Sequence, residues 1–86
     1  SDYARSVPTL RLFAQARVAA GTGEDQVAGS TVGDVLDAES ERYGAEFERL
    51  LVRCKVWVNG EPAGRDVSVG DGDEVAVLPP VSGGFD

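Results

Sequence analysis

Apolar and polar positions along this chain fall into short blocks of differing period. From Val7 to Phe13, Leu10 and Leu12 flank Arg11 in the period-two alternation of a half-buried strand, and Pro8 stands near its start, where a missing donor matters least. Ala14 to Ala20 is alanine-rich and predicts a short helix stopped by Gly21 and Gly23. Asp25 to Ala28 fits a second, short strand. The strongest helix starts after Ser30 or Thr31, either of which can cap free N–H groups, with Asp34 and Asp37 early in its length. Val32, Val35, Leu36 and Tyr43 share one stripe that Glu39 interrupts, and Gly44 ends it. Phe47, Leu50 and Leu51 form a further apolar set, read as a short helical turn.

In the second half, Arg53 to Val58 alternates again, with Cys54, Val56 and Val58 on one face and Arg53, Lys55 and Trp57 on the other. Asn59-Gly60 then signals a hairpin, because both residues tolerate the positive φ of a type I′ turn. The return strand, Glu61 to Arg65, carries Pro62 and so belongs at an edge. Gly70 to Asp73 is a turn, and Glu74 to Leu78 is a final apolar strand. This order predicts an α+β fold: a mixed sheet packed on one principal helix, with the first and last strands as central neighbours. The expected organisation is one domain over 1–80 and a flexible tail over 81–86.

Eighty-six residues, 42% of them hydrophobic and 27% charged, suit a small soluble module better than an independent metabolic enzyme. A net charge of −7 argues against nucleic acid and against anionic membrane surfaces, and favours a basic protein partner. One cysteine rules out an internal disulfide framework, and a cytoplasmic location is the default expectation.

Familiar catalytic constellations fail one by one. Histidine is absent, so there is no nucleophile–histidine pair, and a single cysteine cannot build a zinc or iron–sulfur site. Gly21-Thr22-Gly23 lacks the Gly-Lys-Ser/Thr of a phosphate loop, and Asp71, Asp73 and Glu74 lack the rest of a calcium loop. No metal and no cofactor bound by the chain itself are expected. Cys54 shares a face with valines and reads as a buried small residue. Trp57, between Arg53 and Lys55 on the other face, is either a partner anchor or an aromatic lying over its own sheet.

The end of the chain stands apart. Pro79 and Pro80 stop the last strand, and Val81-Ser82-Gly83-Gly84 follows, slim enough to thread into another protein's site, before Phe85-Asp86. These residues carry a resemblance when taken with Leu12-Phe13-Ala14, Thr31 to Leu36, Val58 to Glu61 and Asp71 to Val75. In that order, over nearly the whole chain from Val7 to Gly84, they resemble the MoaD/ThiS family of ubiquitin-like sulfur carriers. The strand ending in Phe-Ala and the length are more similar to MoaD, the small subunit of molybdopterin synthase, than to ThiS.

The resemblance implies a β-grasp fold and a carrier that is not itself an enzyme. It makes the Gly84 carboxylate the position adenylated by a ubiquitin-activating-type enzyme, which uses ATP, and then converted to a thiocarboxylate by a sulfur donor. Pro80, Val81, Ser82 and Gly83 become the partner-binding tail, and Trp57 a possible partner face. The sulfur acceptor is expected to be the molybdopterin synthase large subunit or another sulfur-accepting enzyme. Phe85-Asp86 departs from the family's end, so a processing metalloprotease is expected to cut between Gly84 and Phe85. Trimmed carriers of this kind also serve cysteine, siderophore or natural-product pathways, and the same activation would serve a ubiquitin-like protein modifier. A third possibility is a non-covalent interaction module whose tail is incidental.

Overall fold

In the computed structural model, which describes residues 6–80, the sheet is built around two parallel strands from opposite ends of the chain. Strand β1 (Thr9–Leu12) pairs with β5 (Glu74–Leu78) in the register Leu10↔Val75 and Leu12↔Val77. Strand β2 (Glu24–Gln26) flanks β1, β3 (Lys55–Val58) flanks β5, and the two-residue β4 (Glu61–Pro62) closes the far edge. The order is β2-β1-β5-β3-β4, so the first and last strands are the central neighbours expected from their apolar content. Pro62 does sit on an edge strand, and β4 is shorter than the Glu61–Arg65 expected.

One face of this sheet carries the core. Leu10, Leu12, Val75 and Val77 point into it and meet Val32, Val35 and Leu36 of α2 (Val32–Tyr43). Two shorter helices complete the layer: α1 (Ala14–Ala20) contributes Ala16, and α3 (Ala45–Leu51) contributes Phe47. The helical layer holds three helices: α2, the longest, is the principal helix expected, and α1 is the short helix expected over Ala14 to Ala20. The set Phe47, Leu50 and Leu51, expected as a single turn, has room for two because Gly44 (φ +98°) reverses the chain directly after α2.

Capping explains where α2 starts. Thr31 Oγ1 accepts from the Asp34 N–H at 3.1 Å, while an Asp34 carboxylate oxygen accepts from the Ser30 N–H at 3.2 Å. The next free donors find a loop: Val32 and Gly33 N–H groups donate to Val67 O and Arg65 O at 2.9 and 2.8 Å. At the opposite turn, Asn59 (φ +52°) and Gly60 (φ +85°) both take the positive φ that the hairpin signal required. The Asn59 side chain ties this hairpin to the start of β5, donating to Asp73 and accepting from the Glu74 N–H, both at 2.9 Å.

Glu39 does not merely interrupt the apolar stripe of α2; it occupies it. Its side chain is fully buried, and neither carboxylate oxygen has a hydrogen-bond partner among the described residues. Nearby, Asp25 on β2 accepts from Arg42 at 2.5 Å and from the Tyr43 hydroxyl at 2.9 Å. Burial, reinforced by the Asp25 charge, lifts the Glu39 carboxyl from its ordinary 4.5 to about 8. Burial alone would raise Asp25 as well, but bonds from Tyr43, the Gln26 N–H and Arg42 hold it below its ordinary value.

Because the folded state holds the Glu39 proton more tightly than the unfolded chain, the stability it confers is full below about pH 4.5. That stability is lost as pH rises through about 8. Urea unfolding between about pH 5 and pH 8 is expected to show this decline. Glu39→Gln should flatten it and leave the variant more stable than the parent at the upper end, by on the order of 1–3 kcal/mol. A parent whose midpoint does not change over this range would contradict the assignment.

Candidate functional site

Strand β5 is bonded on both sides, to β1 through Val77 and to β3 through Leu78, which pairs with Lys55. Pro79 and Pro80 have no N–H to continue the ladder, so the chain leaves the sheet from its central strand, with Pro79 half-buried and Pro80 exposed. The point of departure is thereby held by the ladder to β3 at Leu78 and by both ladders at Val77. Of the expected tail positions, Pro80 is the one placed here; Val81, Ser82, Gly83, Gly84 and Phe85, with Asp86, lie outside the described residues.

The sheet face opposite the core carries an apolar stripe that leads to this root. Alternation puts Val75 and Val77 inward, so Ala76 and Leu78 face outward. Register then sets Trp57 beside Ala76 on one side and Pro62 on the other. Phe13 follows the inward Leu12 in extended conformation, a phase that assigns it to the outer face just beyond the Leu12↔Val77 pair, and it is 42% exposed. Ala14, at φ +52°, bends the chain sharply into α1 immediately afterwards. Charges border the stripe: Arg11 and Glu74 form a salt bridge across β1 and β5, and Lys55 is exposed on β3.

Trp57 is therefore on the outer face, as its alternation required, and half-buried among neighbours on its own sheet. Its register partners on that face are Ala76 and Pro62, consistent with an aromatic set along its own sheet, and the partner-anchor reading is taken up below. Phe13, Ala76 and Leu78 were not singled out as site residues from the sequence. The signal that could have found them is the phase of the last strand, since two inward valines force its Ala and Leu outward.

Other candidate chemistry resolves into structure. The Asp71–Asp73 turn is a staple: Asp73 accepts from the Gly70 N–H at 2.8 Å and from Asn59, and Asp71 accepts from the Val7 N–H at 2.7 Å. These bonds from Asn59 and Gly70 keep the Asp73 carboxyl below its ordinary value. Gly21 (φ +79°) caps α1, its N–H donating to Arg17 O at 2.9 Å. Among the described residues no group of three or more His, Cys, Asp or Glu is placed to hold a metal ion. No described helix is long and apolar enough to cross a membrane.

A mixed sheet with a parallel central pair from the two chain ends, helices on one face and a tail leaving the middle strand, defines a ubiquitin-like β-grasp protein. Solved structures with the same arrangement bear this out. The ThiS family model matches residues 10–84, and the chain belongs to that family. Small archaeal modifier protein 1 of Haloferax volcanii is 39% identical over 85 residues, covering 86% of this chain and 97% of that protein. Its crystal structure superposes with a TM-score of 0.80 at 34% identity, covering 91% of this chain and 99% of that one. A putative molybdopterin converting factor subunit 1 from Pyrococcus furiosus matches with a TM-score of 0.78 at 26% identity (88% and 99% covered). The BexX/CysO complex of Amycolatopsis orientalis contains a chain matching with a TM-score of 0.74 at 28% identity (88% and 98% covered).

Cys54 takes no part in the site. Its thiol is half-buried and donates to Leu50 O at 3.2 Å, and burial raises its pKa despite the opposing charge of Arg53. Alkylation by iodoacetamide near pH 8 is expected to run at least about tenfold slower than that of a free cysteine, rising to the free rate in denaturant. Labelling at the free rate in the folded protein would contradict this placement.

Proposed function

We propose that this protein is a sulfur carrier whose working group is the carboxylate of Gly84, exposed once Phe85-Asp86 is removed. The observation that carries the reading is the rigid root at Leu78–Pro80 on the central strand, from which Gly83-Gly84 follows after two residues. The extent of the family match, which stops at Gly84 and leaves Phe85-Asp86 outside, supports it further.

The chemistry follows from the electrophile. Hydrolysis of the Gly84–Phe85 amide by a processing metalloprotease consumes water and leaves a carboxylate, which resists attack. Its oxygen displaces pyrophosphate from ATP in the active site of an adenylating enzyme, forming an acyl adenylate. Hydrosulfide, or its equivalent from a sulfur donor, attacks the carbonyl carbon, AMP departs, and a thiocarboxylate remains. The carrier supplies the attachment point, and the partner supplies the charges that stabilise the reaction. Two glycines leave that carbon unshielded, and two prolines reduce the ordering cost of threading, about 1–2 kcal/mol per backbone residue. The open face presents Trp57, Phe13 and Leu78 to the same partner, with the thread beginning at the stripe's end.

Likeness to the molybdopterin converting factor subunit supports transfer of that sulfur to the large subunit of a molybdopterin synthase. Likeness to CysO within a complex supports transfer to another sulfur-accepting enzyme instead. A second reading has its own observation, the 39% identity to a small archaeal modifier protein. The same acyl adenylate would then be captured by a lysine amine of a target protein, making this chain a ubiquitin-like modifier. No cofactor is assigned to the chain itself, ATP being spent by the partner.

Incubating the chain ending at Gly84 with its adenylating enzyme, ATP and a sulfur donor is expected to add the mass of one oxygen-to-sulfur exchange. Full-length protein should gain nothing, and absence of the exchange in the trimmed form would sink the carrier reading. Trp57→Ala should weaken the complex with that enzyme roughly tenfold or more, as loss of a central aromatic anchor does, without unfolding the domain. Conjugates in a host lysate that vanish in a Gly84 variant would favour the modifier reading.

A further inference from the structure

On its edge away from β5, strand β3 is covered over only half its length. There β4 pairs with Trp57 and Val58, and one further bond follows, from the Ala63 N–H to Val56 O at 2.9 Å. The chain then leaves the sheet for α2, where Arg65 O accepts from the Gly33 N–H at 2.8 Å. Register fixes which backbone groups this departure leaves open. The Asn59 N–H donates to Glu74 O across the β3–β5 ladder, so Asn59, Trp57 and Lys55 direct their backbone groups to β5. Cys54 and Val56 direct theirs to the open edge. Among the described residues neither the Val56 N–H nor Cys54 O has a backbone partner. Pro62 guards the edge of β4, since its backbone faces outward without an N–H to offer; nothing equivalent guards Cys54 to Val56.

This open edge lines a groove that α2 and α3 also line. Its floor is apolar: Leu36 belongs to the core, and Leu51, Cys54, Val56 and Ala63 pack against it. Four charged side chains border the groove. Asp37 and Arg65 pair with each other at 2.7 Å, whereas Glu48 of α3 and Lys55 of β3 form no salt bridge among the described residues. Alternation separates the last two groups from the floor in different ways. Lys55 shares the outer face of the sheet with Leu78, while Cys54 and Val56 face the floor, with Glu48 on the helical side.

We propose that Cys54 to Val56 is a docking edge for an extended apolar–acidic–apolar segment of a partner protein, which adds to the sheet as a further strand beside β3. An open acceptor and an open donor two residues apart are what one added strand satisfies. In a parallel approach the partner residue opposite Lys55 makes both bonds; in an antiparallel approach its two neighbours make one each. Either way, the residue opposite Lys55 faces outward with it, and the flanking residues face the floor. An acid at the centre therefore meets the Lys55 ammonium, and apolar side chains on either side cover Leu36 and Leu51. Glu48 disfavours acids at those flanking positions. The docking edge does not depend on the carrier reading, and a protein held there leaves Ala76 and Leu78 on the outer face uncovered.

The test titrates the full chain, followed by its backbone amide resonances, with the capped peptide Thr-Val-Glu-Val-Thr. The largest shifts are expected at Cys54, Lys55 and Val56, with the Val56 amide moving downfield as it gains an acceptor. Thr-Val-Lys-Val-Thr should bind roughly threefold or more weakly, because it sets like charges opposite each other. Lys55→Glu, at an exposed position that leaves folding intact, should reverse that order. N-methylation of both the Glu and the Val after it removes the N–H that Cys54 O needs in either strand direction, and should abolish the shifts. No shift at millimolar peptide would overturn the docking edge. So would shifts centred on Ala76 and Leu78, or binding that N-methylation leaves unchanged. Shifts at Cys54 to Val56 that grow with protein concentration in the absence of peptide would overturn it too, because a second copy would then be the occupant.

Discussion

The parallel pairing of β1 with β5 is the constraint on which the rest of the structure depends. It joins the two ends of the chain in the middle of the sheet, through Leu10↔Val75 and Leu12↔Val77, and makes those four side chains the floor of the core. A parallel pair cannot be closed by a tight turn, so everything between the two strands has to serve as the crossover. The helices are that crossover, packed on the one face that the inward residues make apolar. Because β5 is then flanked on both sides, its C-terminal end cannot fray without breaking ladders to two neighbours. A terminal segment, ordinarily the least constrained part of a small domain, is thus given a fixed origin.

The same pairing divides the apolar residues of the central strands into two sets with different work. Inward valines and leucines hold the domain together; outward Ala76, Leu78 and Phe13 are left for something else, and Trp57 joins them through the β3–β5 register. Antiparallel edges commonly give one wet and one dry face, and here the outward apolar residues lie on the strands that lead to Pro79.

Most of this architecture is legible in the sequence because the local signals agree with the global fold. Thr31 caps α2, Gly21 and Gly44 end their helices, and Asn59-Gly60 turns the hairpin, each for a reason written in its own side chain or lack of one. The strand bounds were less so: β2 is Glu24–Gln26 rather than Asp25 to Ala28, since short polar strands take their register from the partner, here Leu10↔Asp25. Glu39 was misleading for a related reason. A charged residue in an apolar stripe looks like an interruption, and only its neighbours on β2 and α2 show that it is buried in its neutral form. The outward face of Trp57 and the break of the ladder before Pro80 could be read directly. The outward phase of Phe13, Ala76 and Leu78 needed the knowledge that β5 is central.

Charge completes the picture. The chain has fifteen acids against eight bases, yet Arg49, Arg53 and Lys55, three of the eight, cluster within seven positions at the junction of α3 and β3. That junction lies beside the tail root by virtue of the Lys55↔Leu78 pair. The acids Asp34, Asp37 and Glu41 of α2 line a surface shared with Ser6 and Gly29, and Asp37 also pairs with Arg65. An acidic protein with a local cluster of bases beside Pro79 keeps a field that attracts basic partners at long range, while those bases, interspersed with Glu46 and Glu48 of α3, temper it at short range.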